Sequence, residues 1–218
     1  MSFLIKTTSY IAFHHLNFGN SSWDFSVLGN HINNITSKLS SIVYLFRRLK
    51  FILPHEYIRG AYFAYFQSII KYGLLLWGNS CHVHKIFLIQ KRVIRVLTNS
   101  SVKEHCKPLF VKEKIMTIYS LYIFEAIMYG KDNFIPFENR HHEITYNLRK
   151  INNFDMPKCR LTKTMSNFPV FALKVCNKFP RYIFELDKKS IKRLASDWLI
   201  QKAFYNKDEF FNIVDLTI

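Results

Sequence analysis

The strongest constraint on the fold is a pair of amphipathic stretches within residues 54–98, joined by a turn that contains Gly73. In both stretches apolar residues recur every three or four positions, which is the period of one helix face. The first set is Ile58, Ala61, Tyr62, Tyr65, Ile69 and Tyr72, and the second is Ile86, Ile89, Val93 and Val96. The pattern predicts two helices packed back to back.

Residues that start and stop helices agree with this pattern. Pro54 suits the first turn of a helix, where its missing N–H would have no partner. Gly73 can end the helix by adopting a left-handed conformation. Asn79 or Ser80 can cap the next one. At about 100° per residue, Lys91, Arg92 and Arg95 then lie opposite the second apolar stripe.

Further helices are predicted on either side of this pair. One spans residues 31–52, another runs from Thr117 to Tyr129 with Gly130 as its stop, and a last one runs from about Ser190 to Phe204. Phe3 to Phe13 could form a short strand, since it contains good strand formers. We therefore predict a mainly α fold: a helical thumb-like bundle, a smaller C-terminal α unit and a possible short N-terminal strand. The predicted divisions are a poorly specified segment 1–30, a helical domain 31–130, a linker 131–158 and a C-terminal helical unit 159–218.

The charge distribution indicates the kind of partner. The net charge is +16, and between His31 and Thr98 there are ten Lys and Arg residues against one acid, Glu56. A concentration of one sign of charge favours a polyanion such as nucleic acid. An ordinary solvated helix face is the alternative, and a membrane surface is less favoured.

Other classes of protein find less support. No stretch approaches the roughly 18 uninterrupted apolar residues of a spanning helix, and residues 1–17 lack the pattern of a secretory signal. The scattered cysteines are typical of reduced thiols. These features predict an intracellular protein of the nucleus or cytoplasm, with no membrane partner.

The sequence offers few candidates for catalysis. Polymerases hold two metal ions with clustered carboxylates, but the chain contains no Asp-Asp pair, and its one adjacent acidic pair, Asp208-Glu209, suits a helix cap. Cys81 and His84 have a spacing found in zinc sites, but no second matching pair follows. No Gly-rich phosphate loop occurs. We therefore predict no catalytic residue, metal, cofactor or small-molecule substrate.

Binding to nucleic acid remains the favoured activity. Lys and Arg on a helix neutralise phosphates, and exposed aromatic side chains stack on bases. Most Phe and Tyr residues at helical spacing are expected in the core. The candidate phosphate contacts are Arg47, Arg48, Lys50, Lys91, Arg92 and Arg95.

Several motifs together resemble one family. The central ones are Leu49-Lys50, Arg59, Tyr62, Tyr72-Gly73-Leu74-Leu75-Leu76-Trp77-Gly78, Gln90-Lys91-Arg92 and Ile94-Arg95. Others are Lys6-Thr7, Trp23, His31-Ile32, Lys38-Leu39-Ser40, Cys106-Lys107-Pro108-Leu109-Phe110, Ser120-Leu121-Tyr122-Ile123-Phe124-Glu125 and Asp208-Glu209-Phe210. This set resembles the segment just after the polymerase core in non-LTR retrotransposon reverse transcriptases of the jockey type.

The resemblance implies a thumb and post-thumb region that helps hold the RNA template and DNA primer. The chain would then be a truncated fragment of an RNA-directed DNA polymerase without the catalytic palm, and its partner would be RNA, DNA or an RNA–DNA hybrid. Two alternatives stay open: a helical protein-interaction module, and a decayed transposon product with no function. The sequence does not fix the oligomeric state.

Overall fold

The protein is described by a computed structural model over residues 25–134, 154, 156–157, 167–180 and 182–213. All regular structure within these ranges is helical, which confirms the mainly α fold. The possible strand from Phe3 to Phe13 lies outside the described residues. Most of the predicted linker 131–158 lies outside them too, so the division into domains stays a prediction.

The helices follow one another with short connections through residue 134. Their bounds are α1 Phe25–Leu49, α2 His55–Ala61, a π-helical segment Tyr62–Gln67, α3 Ser68–Lys71, α4 Leu74–Trp77, α5 Val83–Leu97, α6 Cys106–Lys112 and α7 Ile118–Asn133. After the gap come α8 Phe168–Cys176, α9 Tyr182–Glu185, α10 Lys188–Lys202 and α11 Lys207–Phe211.

Helices α1 and α5 lie side by side and run in the same direction. Near their starts, Lys85 Nζ donates to Asn33 Oδ1 at 3.2 Å, and just past their ends Lys50 Nζ donates to Asn99 Oδ1 at 2.9 Å. The predicted α1 is confirmed as a helix, but it begins at Phe25 rather than at residue 31 and ends at Leu49. Its apolar stripe, including Ile32 and Phe46, is buried.

The π-helical segment corrects the predicted face of the helix before Gly73. The buried residues are Ile58, Tyr62, Phe66 and Ile70. Tyr65 and Tyr72, which were predicted to face the core, are 64% and 71% exposed. A π turn closes i→i+5 hydrogen bonds and holds more residues than an α turn. The buried residues are therefore spaced by four at every step. A prediction that alternates steps of three and four, as in an α helix, selects residues on a different face.

Two glycines have different functions. Gly73 has φ +67°, so the predicted left-handed conformation is confirmed. Gly130 does not stop its helix, since α7 continues to Asn133. A Cβ at Gly130 would collide with the Cys176 Sγ atom of α8. Glycine therefore allows α8 to pack closely on α7.

The last long helix is confirmed with shifted bounds. It begins at Lys188 and ends at Lys202, against the predicted Ser190 to Phe204. The Asp187 carboxylate accepts hydrogen bonds from the N–H groups of Lys189 and Ser190, so it supplies the N-cap. Asp208-Glu209 lies in the first turn of α11, where the prediction placed a helix cap; the N-cap itself is Asn206, which accepts from the Glu209 N–H.

Helix α7 is the centre of one continuous apolar cluster. Most of its residues are buried, and the cluster contains side chains from α1 through α11. Two buried polar groups tie α7 to its neighbours. Gln90 of α5 donates to the Tyr62 hydroxyl and the Met116 carbonyl and accepts from the Ile118 N–H.

The second polar group consists of two hydroxyls at the start of α7. The Thr117 hydroxyl donates to the Phe204 carbonyl at 2.6 Å. The Ser120 hydroxyl donates to the Leu199 carbonyl and accepts from the Phe204 N–H. Because buried polar groups cost free energy unless they are paired, these bonds fix α5 and the end of α10 to the start of α7.

Candidate nucleic-acid interface

The outer surfaces of α1 and α5 form a basic face without acids. Neither helix contains an Asp or Glu residue. The exposed residues of α1 are mostly Asn, Ser, Lys and Arg, with His31, Tyr44 and Leu45, and those of α5 are His84, Lys85, Leu88 and Arg92. Since the two helices lie side by side, the cations of both belong to one surface, which we call the basic face.

The helical repeat places two of the predicted arginines along the seam between these helices. Asn33 and Lys85 meet at this seam. Arg47 lies about four turns after Asn33 on α1, and Arg92 lies about two turns after Lys85 on α5. Arg47 therefore lies on the same side of α1 as Asn33, and Arg92 lies on the same side of α5 as Lys85. The seam is about 20 Å long at 1.5 Å per residue. Lys85 is a candidate phosphate contact that the sequence prediction missed.

The cations at the end of α1 are exposed or half-buried and have uncharged partners. Arg48 donates to the Tyr44 hydroxyl and lies over the Tyr44 ring at 5.5 Å from its centroid. Lys50 binds Asn99 and lies 4.9 Å from the centroid of the Phe51 ring. Arg47 is exposed. None of these contacts neutralises a positive charge.

The two arginines of α5 are also uncompensated. Arg92 is exposed. Arg95 donates from Nε and Nη2 to the Glu104 carbonyl at 3.2 and 2.9 Å. This bidentate contact uses a backbone oxygen, so it orients the guanidinium without cancelling its charge.

Lys91 differs from the other five predicted residues. Its ammonium lies 4.5 Å from the centroid of Phe87 and 4.3 Å from that of Tyr205. Burial lowers its pKa from the ordinary value. Lys91 is thus covered by a ring that comes from the turn before α11, and it faces this part of the chain rather than the seam.

None of the described ion pairs includes one of the six predicted residues. They join His55 and Arg59 to Glu113, Lys71 to Glu125, Lys107 to Glu209, and Lys188 to Asp132. Among the residues that the structure describes, none of the six predicted cations contacts a carboxylate. Five of them, all but Lys91, therefore present open positive charge on the basic face.

Metal ligands do not assemble in the described part of the chain. No group of three or more His, Cys, Asp or Glu side chains there could hold a metal ion. Cys81 is exposed, whereas Cys106 is buried and contacts backbone carbonyls. Within the same residues, no helix combines the length and hydrophobicity needed to cross a membrane.

Comparisons with protein families, with curated proteins and with solved structures found no match to this chain.

Proposed function

We propose that this chain binds nucleic acid through the basic face of α1 and α5. The observation that carries the proposal is that, among the described residues, Arg47, Arg48, Arg92 and Arg95 form no ion pair with a carboxylate. Cations that are already paired gain little from a phosphate, whereas unpaired ones release condensed counterions when they bind it. Such cations, spread along two parallel neighbouring helices, suit a linear polyanion.

The ligand is RNA, DNA or an RNA–DNA hybrid, held by its backbone. The proposed contacts go to phosphates, and phosphate contacts position a duplex without reading its sequence. The motifs that resemble jockey-type reverse transcriptases support the hybrid in particular. On this proposal the chain is a fragment of such an enzyme that keeps a template-primer-holding region and performs no catalysis.

A salt titration of binding tests the proposal. The slope of log affinity against log salt is about −0.9 per phosphate neutralised on B-DNA. If three to five of the open cations bind phosphates, we expect a slope of about −3 to −5. A slope near zero, or no binding to hybrid, RNA or DNA at low salt, would contradict the proposal.

A matched pair of variants locates the interface. Arg47→Gln/Arg48→Gln/Arg92→Gln removes three exposed charges from the basic face. Lys189→Gln/Lys192→Gln/Arg193→Gln removes three exposed charges from α10. We expect the first to weaken binding at least tenfold and to flatten the salt slope by about three. The control should change affinity less than threefold, and equal losses in both would contradict the assignment.

The family origin has an independent test. If the chain descends from a jockey-type polymerase, the DNA that precedes the Met1 codon should encode a palm, intact or decayed, with its paired aspartates. An unrelated coding sequence at that place would remove the support that the motifs give.

A protein-interaction module is the second candidate, and exposed aromatic residues favour it. Tyr57, Tyr65 and Tyr72 are all more than 60% exposed on the α2–α3 segment and the turn after it. Tyr is enriched at protein interfaces. This candidate predicts that the chain binds a protein partner with an affinity that does not depend on salt. Tyr65→Ser should abolish that binding.

A further inference from the structure

A cleft of about 410 Å³ opens at one end of the basic face. Its walls come from the turn after α1, the start of α2, the end of α5 and the end of α6. The residues that matter for its chemistry are Lys50, Phe51, His55, Asn99, Lys112 and Glu113. Its volume falls within the range of small-molecule sites.

The Phe51 ring lies at the mouth of this cleft and is open to solvent. The side chain is 81% exposed, although large apolar side chains at such positions cost free energy in water. The turn that carries it is held by Ile52 N–H and Leu53 N–H bonds to the Leu49 carbonyl, at 2.9 and 2.8 Å. Pro54 fixes the backbone that follows. The ring is therefore presented by an ordered turn.

The floor of the cleft is rich in hydrogen-bond acceptors. Helices α1, α5 and α6 all end here, and most of their last carbonyls accept N–H groups of the turns that follow, so the acceptors open to a ligand are side-chain oxygens. The Glu113 side chain is 5% exposed, and its Oε2 lies 2.9 Å from His55 Nε2. Asn99 adopts a left-handed φ of 55° at the rim. A ligand group that donates hydrogen bonds fits this floor.

The rim carries the opposite sign of charge. Lys50 lies on one side, after α1, and Lys112 lies on the other, at the end of α6. Neither forms an ion pair among the described residues. Lys50 is also the last cation of the basic face, so a phosphate backbone that follows the seam from Lys85 and Arg47 reaches the cleft next.

We propose that this cleft takes one unpaired nucleotide of the strand held on the basic face. The phosphate lies between Lys50 and Lys112, and it draws the Lys50 ammonium away from Asn99 Oδ1 and the Phe51 ring. The base then stacks on Phe51, and its amino group donates to the Glu113 and Asn99 oxygens. This inference rests on the proposed nucleic-acid function and adds to it a preference for a single-stranded end over a blunt duplex.

The arrangement favours a nucleotide over an anionic membrane. An aromatic tip flanked by cations also suits a lipid surface. However, the Glu113 and Asn99 oxygens beside Phe51 fit the amino group of a base, a donor that the phosphodiester and acyl chains of a lipid lack. An extended strand contacts the seam and the cleft together.

The test compares two probes with the full chain. One is a blunt RNA–DNA hybrid, and the other is the same hybrid with a three-nucleotide overhang that contains 2-aminopurine, a fluorescent base with an exocyclic amino group. We expect the overhang to bind at least fivefold more tightly, since stacking of one base on an aromatic ring has an effect of this size or larger. We also expect stacking to change the 2-aminopurine fluorescence.

Three variants locate the effect. Phe51→Ala should remove both the fivefold preference and the fluorescence change while blunt-hybrid affinity stays within twofold, because this exposed side chain supports no core packing. Lys112→Gln should reduce the preference at least twofold. Tyr182→Ala, which removes an exposed ring from α9, should change neither.

The outcomes separate this inference from the function on which it rests. Salt-dependent binding to the blunt hybrid, with no overhang preference or with a preference that Phe51→Ala leaves intact, would overturn the cleft inference alone. Failure to bind either probe would overturn both. Phe51-dependent binding to vesicles of anionic phospholipid, without the overhang preference, would replace the nucleotide by a lipid surface.

Discussion

The basic face and the C-terminal helices are both rich in cations, but among the described residues only the C-terminal part uses some of its cations in ion pairs. On the basic face, Arg48 contacts a hydroxyl, Lys50 an amide oxygen and Arg95 a backbone carbonyl. In the C-terminal part, Lys188 pairs with Asp132 at 2.6 Å, and Glu209 pairs with Lys107 of α6 at 2.7 Å. Lys207 binds Asn79, and burial lowers its pKa. Charge used to join two parts of the fold is not free for a partner, so net charge alone does not identify a binding surface.

Both regions depend on the same central helix, and the largest expected effect comes from breaking that connection. Gln90→Leu leaves the Ile118 N–H, the Met116 carbonyl and the Tyr62 hydroxyl without their partner. We expect a loss of about 3 kcal/mol in unfolding free energy, measured by urea denaturation. Gln201→Leu, at an exposed position of α10, should change it by less than about 0.5 kcal/mol. Similar losses for the two would show that Gln90 does not join the regions.

A pair of glycine substitutions sharpens the comparison of packing. Gly130→Ala places a methyl group against Cys176 Sγ, so we expect a loss of about 1–3 kcal/mol in unfolding free energy. Gly60→Ala, on the exposed side of α2 with no atom within 4 Å of the new methyl, should stabilise the protein by about 0.5–1 kcal/mol. Thermal unfolding followed by circular dichroism measures both. If Gly130→Ala were as stable as the wild type, α8 would not pack on α7 as closely as described.

Charge reversal tests directly whether the two basic regions differ in binding. Arg92→Glu should weaken nucleic-acid binding about tenfold or more, because it places an acid in the middle of the acid-free seam. Arg193→Glu makes the same change on α10 and should alter the affinity less than threefold. Fluorescence anisotropy at low salt measures both. A larger effect at Arg193 would move the interface to the C-terminal helices.

The smallest expected effect belongs to the ion pair between Lys107 and Glu209. Burial raises the Glu209 pKa, but the Lys107 ammonium and the Tyr205 N–H outweigh it, so the net pKa lies below the ordinary 4.5. A carboxyl with a lowered folded-state pKa stabilises the fold above its unfolded value and loses that effect as the pH falls through the folded value. Both partners are partly exposed, so Glu209→Gln should cost only about 0.5–1 kcal/mol at neutral pH. As the pH falls below the folded-state pKa of Glu209, the variant and wild type should converge in urea denaturation, and a constant difference at every pH would contradict this cause.

The predictable part of the fold was the part encoded locally. The stripe on α1, the left-handed Gly73 and the Thr117 cap all depend on residues within one or two helical turns of one another. The π-helical segment was not predictable, because its extra residue per turn is indistinguishable from α spacing in a short apolar run. It is why Tyr65 and Tyr72 are exposed instead of buried.

The candidate site was predictable in composition but not in arrangement. The missing acids of α1 and α5 are visible in the sequence, and so is the two-turn spacing from Lys85 to Arg92, which could have added Lys85 to the set. The position of Lys91 depends on Tyr205, far along the chain, and the pairing of Lys107 with Glu209 spans a similar separation. Contacts of this range follow from the tertiary fold alone.

The shared direction of α1 and α5 has a consequence for how binding can be measured. Two parallel neighbouring helices need a connecting segment that runs back from the end of the first to the start of the second. Between α1 and α5, residues 50–82 form this segment. A peptide of either helix alone would carry no more than half of the seam. When the chain is heated and α7 unfolds, α1 and α5 would no longer lie side by side. The apparent affinity for a polyanion would then follow the fraction of folded protein. Binding measured at a series of temperatures would report unfolding without an added dye.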